Sequence, residues 1–255
     1  MSTMAVWIGM AFLLSAPLAA QSSFEAASVK PHDPKTAFSK GRILPSGGLE
    51  IAGMTVENLL TYAYGVLPEM ISGLPRWARE TSYDVIAKAG HDTPPAALRL
   101  MLQALLAQRF QLASHSENKP IAAYVLTVGT HAGKLTPGAG TQPHCSWIAL
   151  PAGVSRRQCE NMSMAELARQ LPGLGHIGVD RPVVDQTGLA GTWNFQLDVR
   201  LAPPSSGAAL PQPDAAIPEG PTIFDAFEQI GLRLEPRKVS LPVLVVDRIG
   251  QLTEN

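Results

Sequence analysis

Several stretches carry residue types that could do chemistry. Residues 181–195, "RPVVDQTGLAGTWNF", set Asp185 near Thr187 and Gly188, much as the Asp-Thr-Gly loop of aspartic proteases does. Such an enzyme needs two carboxylates close enough to share a proton. Gln186 interrupts the motif and no second copy exists. Asp185 and Thr187 are therefore expected to hydrogen-bond turn backbone in a hairpin connection, with Gly188 and Gly191 at positive φ. The run "SENK", Ser116 to Lys119, fits the Ser-x-x-Lys pattern of penicillin-interacting enzymes. That serine must open a buried helix, whereas Ser116 falls between two expected strands and Pro120 follows the lysine. His32, His91, His115, His131, His144 and His176 show no i, i+4 pairing and read as solvated side chains. Glu57 and Asp84 could form an acid/base pair, but helix-start and strand-edge roles account for both. These patterns assign no catalytic residue, no cofactor and no metal.

Two further groups are structural or recognitional. Cys145 and Cys159 flank "SWIALPAGVSRRQ", where Pro151-Ala152-Gly153 reads as a hairpin tip. In an oxidising compartment they can pair, and closing a loop of about 15 residues contributes roughly 3 kcal/mol. Adding His144 would give a three-ligand metal set with no fourth partner at useful spacing, so the disulfide is the favoured reading. "MISGLPRWARE" places Trp77 between Arg76 and Arg79, types over-represented at binding hot spots. Those three residues form a candidate recognition loop; the competing reading has Trp77 plugging the core.

The elements that must position these residues follow from periodicity. "FEAASVKP" reads as a strand and "GRILPSGGLEIAGM" as a hairpin turning at Ser46-Gly47-Gly48. Thr55 caps a helix with Leu59, Leu60 and Ala63 on one face, and Gly65 and Pro68 stop it. "TSYDVIAKAG" alternates as a strand. The clearest helix follows Pro94 and Pro95, with Leu98, Met101, Leu102, Leu105 and Leu106 on one face. "FQLASHS" and "IAAYVLTVG" read as two strands joined by a turn at "ENKP". The order then recurs: a hairpin through residue 162, a helix with Ser163 and Glu166 as a capping box, two strands around Asp185, a short helix in "TIFDAFEQIG", and a last strand pair in "LRLEPRKVSLPVLVVDRI". The expected fold is α+β and internally duplicated. Each half is a β-hairpin, helix, strands, helix and strand pair, forming mainly antiparallel sheet with helices on one face. The halves are residues 21–132 and 133–255, with a Pro-rich insertion over 201–221.

Composition bounds the function classes. The 255 residues carry a formal charge of −1 with both signs dispersed, so no electrostatic footprint for nucleic acid exists. The 22 Gly and 22 Pro point to many turns rather than long helices. Residues 5–20 are apolar, uncharged and end in small residues, which suits a signal-peptide core better than a membrane span. Cleavage after Ala20 is expected, leaving an exported chain without a stable membrane anchor; an uncleaved anchor is the alternative.

"GMTVENLLTYAYGV", "ISGLPRWARETSYDVIAKA", "LRLMLQALLAQRFQLASHSE" and "RPVVDQTGLAGTWNF" resemble, in order and over essentially the whole mature chain, an Acidobacteria/Solibacter-type exported domain family of unknown function, DUF3738. The resemblance implies a periplasmic or secreted protein and carries over no catalytic residue. Some members of that family carry the domain behind a membrane metallopeptidase, but this sequence has neither a multi-span region nor His-Glu-x-x-His. The expected function is a non-catalytic binding or sensory module for a peptide, a cell-wall fragment or an envelope protein, with an exposed sheet edge as one means of capture. A secreted hydrolase with an unfamiliar site, or a structural subunit of an envelope complex, are the alternatives.

Overall fold

The computed structural model describes residues 23–36, 40–45, 47–90, 93–130, 133–174, 177–201 and 220–252. The expected leader, residues 202–219 of the Pro-rich stretch, Ser46, His91, His131 and His176 lie outside the described residues. In chain order the strands are β1 (Ala26–Pro31), β2 (Lys40–Ile43), β3 (Leu49–Thr55), β4 (Ile71–Ser72), β5 (Ser82–Lys88), β6 (Ala113–Val128), β7 (Thr136–Pro137), β8 (His144–Ala149), β9 (Val154–Met162), β10 (Val183–Asp185), β11 (Trp193–Arg200) and β12 (Leu232–Arg248). The helices are α1 (Val56–Tyr64), α2 (Trp77–Glu80), α3 (Pro95–Arg109), α4 (Met164–Gln170) and α5 (Ile223–Gln229). With mostly antiparallel sheets and separate helices, the class is α+β.

The chain divides into two compact units that do not coincide with the expected halves. The first takes the residues up to Gly65, Pro75–Ala113 and those from Arg248 on; the second takes Val66–Leu74 and Ser114–Asp247. Both β4 and β6 from Ser114 on thus go to the second unit.

In the first unit the strand order is β1-β5-β3-β2, antiparallel throughout. Alternation in β5 buries Tyr83, Val85 and Ala87 and turns Ile86 outward. The hydroxyl of Thr55 accepts from Asn58 N to start α1, and Gly65 ends it in the left-handed conformation. Val56, Leu59, Leu60 and Ala63 of α1 are buried, as are Leu98, Leu102, Leu105 and Leu106 of α3. Phe110, fully buried, stands edge-on to Tyr83 at 5.0 Å between centroids.

The second unit holds two sheets. One has the order β7-β11-β9-β8 and is antiparallel. In the other, β10-β6-β12-β4, short outer strands run parallel to β6 and β12. A hydrogen bond from Gly129 N to Gly231 O at one end and the His115–Asp247 contact at the other set β6 and β12 antiparallel to each other. Leu126, Met162, Leu167, Leu197, Phe227 and Leu232 are among the side chains filling the core between these elements. Thr222 and Asp225 form a reciprocal capping box at the start of α5. At α4 only half of the expected box forms: Ser163 accepts from Glu166 N, while the Glu166 carboxylate binds Arg169 and Gln170.

Three expected connections are corrected. From Ala113 on, "FQLASHS" and "IAAYVLTVG" belong to one continuous strand, β6, and the last strand pair is likewise the single strand β12. Pro120 is tolerated because Tyr124 N and Leu126 O, at positions of the same parity, face β10, whose pairing begins only at Tyr124. The Pro120 nitrogen therefore points to an unpaired edge. Pro236 and Pro242 similarly precede the stretch of β12 that pairs with β4. The segment after Asp185 is no hairpin: β10 pairs with β6, and β11 pairs with β9 and β7 in the other sheet, so residues 186–192 cross between sheets.

The orders β1-β5-β3-β2 and β7-β11-β9-β8 match place for place. In each, a hairpin leads through a capped helix to the strand that enters beside the hairpin. Pro31 pairs with Tyr83 as Pro137 pairs with Trp193, and His32 N donates to Ser82 O as Gly138 N donates to Thr192 O.

Candidate functional site

The residues singled out by type are mostly occupied with structure. Asp185 Oδ1 accepts from Thr187 N at 2.9 Å and from its hydroxyl at 2.8 Å, and Thr187 Oγ1 accepts from Leu189 N. Gly188 and Gly191 have φ of 67° and 78°. Ser116 is exposed on β6, and Lys119 pairs with Glu117 at 3.1 Å. Arg76 binds Glu80 at 2.6 Å and Arg79 binds Glu57 at 2.9 Å. Trp77 is half-buried and stacks on Phe110, 6.5 Å between centroids. Arg76 and Arg79 thus pair with carboxylates at the surface, while Trp77 packs on Phe110. Cys145 and Cys159 form a disulfide between register partners of β8 and β9, with Cα atoms 4.2 Å apart.

Sequence reasoning missed two polar clusters at equivalent places. In the first unit, Asp84 Oδ1 accepts from His32 Nδ1 at 2.7 Å and from Gly53 N at 2.8 Å. In the second, Asn194 Oδ1 accepts from Asn161 N at 2.8 Å, and Asn161 Oδ1 accepts from Gly140 N at 2.7 Å. Gly53 (φ 67°) and Asn161 (φ 53°) are the left-handed residues of two β-bulges, each two residues before a helix N-cap. The side chain across the bulge pins its freed N–H, so the His32–Asp84 pair has a backbone task. The recurring "GMT" and "NMS" before each helix were the available signal. His115 and Asp247 form a second, exposed pair at 2.9 Å. Among the described residues no group of three or more His, Cys, Asp or Glu could hold a metal ion.

An apolar recess beside an open strand edge lies in the first sheet. β2 is an outer strand with a partner only in β3, so one row of its backbone N–H and C=O groups is unpaired among the described residues. Beside it opens a groove of about 260 Å³, lined by Gly41, Ile43, Leu49, Ile51, Met54 and Tyr62 together with Arg42. Its floor is apolar: Leu49 and Ile51 are buried, and Ile43 is 45% exposed at the rim. The groove exists because residue 41 has no side chain. In the matching place of the second unit, Cys145 stands opposite Cys159 as Gly41 stands opposite Ile51, and the disulfide occupies that space. A polar cavity of about 430 Å³ in the second unit is lined by Lys134, Glu160, Asn161 and Asn194, but both asparagines are spent on the bulge.

A family model, protein of unknown function DUF3738, matches residues 57–249, most of the chain. The chain belongs to the DUF3738 family. No curated protein and no solved structure matches it significantly. In this DUF3738 chain the matched span runs from the first turn of α1 into the last loop and includes both long strands and the disulfide. The groove's edge strand precedes that span, and of the groove lining only Tyr62 lies within it.

Proposed function

We propose that this DUF3738 protein is exported to the periplasm or beyond and acts there as a non-catalytic binding module. It takes an extended peptide segment along β2, with one bulky apolar side chain in the groove. The observation that carries this is the coincidence of an unpaired strand edge with an apolar recess beside it. Edge addition supplies main-chain hydrogen bonds and the recess supplies side-chain selection. The leader pattern in residues 1–20 and the Cys145–Cys159 disulfide support an oxidising compartment. No described helix is long and apolar enough to cross a membrane.

The test is calorimetric titration with a hexapeptide alternating Leu and Thr, acetylated and amidated so that it carries no charge. Gly41→Leu fills the groove from its floor. A Cβ there meets the flexible tip of Met54 at 3.0 Å and Ile51 at 3.8 Å, so the fold should accommodate it. The expected result is binding that weakens ten-fold or more in Gly41→Leu, about 1.4 kcal/mol, with the thermal midpoint unchanged. No binding to the native chain, or equal binding to both, would overturn the reading.

A further inference from the structure

β2 carries a knob and a hole two residues apart on one edge. Leu44 N donates to Gly48 O, so the even-numbered residues of β2 turn their backbone groups toward β3. Alternation turns the N–H and C=O of Gly41 and Ile43 the other way, onto the outer edge. No strand pairs with them there among the described residues. Leu49 and Ile51, their partners in β3, are buried, so positions 41 and 43 lie on the core face of the sheet. At Gly41 that face is the open groove; at Ile43 it carries a large apolar side chain, 45% exposed.

Such an edge is complementary to itself. If a second copy lies antiparallel along β2, with Arg42 facing its counterpart across a two-fold axis, each Gly41 stands opposite the other copy's Ile43. Residues facing each other in this way exchange both backbone bonds, so the pairing makes four hydrogen bonds. Side chains of opposed residues share a face. Each Ile43 therefore enters the other copy's groove, against Ile51, Met54 and Tyr62. Sliding the second copy by two residues sets Gly41 against Gly41 or Ile43 against Ile43, and no knob then meets a hole. The two Arg42 side chains meet at the axis on the outer face, where a bare pair of like charges would keep the edges apart. Each is bound by its own Glu50, through Nε at 2.9 Å and Nη2 at 2.6 Å. On β8, the matching edge of the second sheet, Cys145 stands in the place of Gly41 and its bond to Cys159 leaves no hole.

We propose that β2 is the interface of a two-fold dimer of this chain, in which each Ile43 fills the other copy's groove and closes it to peptide. The inference shares its groove with the peptide reading and makes self-pairing the regulator of that site. β2 has four residues, and interfaces under about 1,200 Å² belong to weak, transient pairs, so monomer and dimer exchange with concentration.

The test adds one cysteine to the full chain, whose two native cysteines are bonded to each other. Arg42→Cys puts the new thiols on the axis, where facing Cα atoms stand about 4.5 Å apart, within disulfide reach. Glu50→Cys is the control, because its two thiols lie three strand spacings apart, roughly 14 Å. Under copper phenanthroline, Arg42→Cys should cross-link at least ten-fold faster than Glu50→Cys, and adding Gly41→Leu should abolish that advantage. Sedimentation of the native chain should show a dimer that dissociates on dilution and that Gly41→Leu weakens ten-fold or more. Equal cross-linking of the two cysteines, a native chain still monomeric at millimolar concentration, or a dimer indifferent to Gly41→Leu overturns the proposal. A monomer that binds the uncharged hexapeptide sinks the dimer and leaves the peptide reading standing. A dimer whose dissociated chain binds no hexapeptide does the reverse.

Discussion

Reducing the Cys145–Cys159 disulfide is the perturbation whose size follows most directly from the structure. The cysteines are 14 residues apart, and a closed loop of about 15 residues corresponds to roughly 3 kcal/mol of denatured-state entropy. β8 is an outer strand held only by β9, so no other neighbour compensates for the lost link. At about 2–4 °C per kcal/mol for a chain of this size, the reduced protein should melt roughly 6–12 °C below the oxidised one. The assay is a thermal melt followed by tryptophan emission, since Trp147 and Trp193 both lie in the affected sheet. Hydrogen exchange adds position: amides of β8 should lose protection first and those of β11 last. The turn at Pro151–Gly153, closed by the Leu150 N to Val154 O bond, could persist in the unfolded chain and would shrink the effect. A midpoint change below about 1 °C, or protection lost evenly across the sheet, would refute the loop-entropy argument.

Three further substitutions separate local strain from packing and charge. Gly188→Ala should cost about 1–2 kcal/mol in urea unfolding, because φ is 67° but nothing lies within 4 Å of the new Cβ. Gly48→Ala should cost about 3 kcal/mol or more, since the Cβ would stand 2.3 Å from Ala87 O as well as at positive φ; equal costs would show that the contact is relieved cheaply. Arg156 grips Asp198 through Nε and Nη2 at 2.6 and 2.8 Å, and that bond holds the Asp198 carboxyl below its usual range. A depressed carboxyl stabilises the fold above its unfolded pKa and loses that contribution as pH falls through its folded value. The urea midpoints of native and Asp198→Asn proteins should therefore differ at pH 7 and converge in acid; a pH-independent gap contradicts the assignment.

What was legible in the sequence was local. Thr55 capping α1, Gly65 ending it, the alternation of Tyr83, Val85 and Ala87, and the Cys145–Cys159 hairpin all depend on neighbours a few residues away. What was missed depends on which strand lies alongside. Pro120 punctuates the sequence as a turn would, and only the short reach of β10 shows why a proline can sit inside a 16-residue strand. Val183 to Asp185 and the strand from Trp193 look like hairpin arms, but parallel pairing to β6 claims the first and β9 the second. His32 and Asp84 are 52 residues apart, and no spacing rule joins them. The groove depends on Gly41 facing Ile51 with no side chain of its own, a fact of register rather than composition.

The two matching sheets also act as controls for one another. Where they agree in residue type, the backbone gives the reason: Gly53 and Asn161 tolerate the left-handed bulge, Asp84 and Asn194 accept the N–H it frees, and Thr55 and Ser163 cap the helix that follows. Where they differ, the backbone cannot be the reason, because the same strand order and pairing accommodate both choices. Differences gather on the edge hairpins, with Gly41, Ile43 and Leu49 in one place and Cys145, Trp147 and Arg157 in the other. The first set leaves an apolar recess open beside an unpaired edge. The second fills the recess with a covalent link and sets a buried cation under an exposed indole. A purely structural account would have to explain why one sheet keeps a cavity, which costs stability, where the other closes the same place with a covalent link. The docking groove proposed at β2 accounts for that cost.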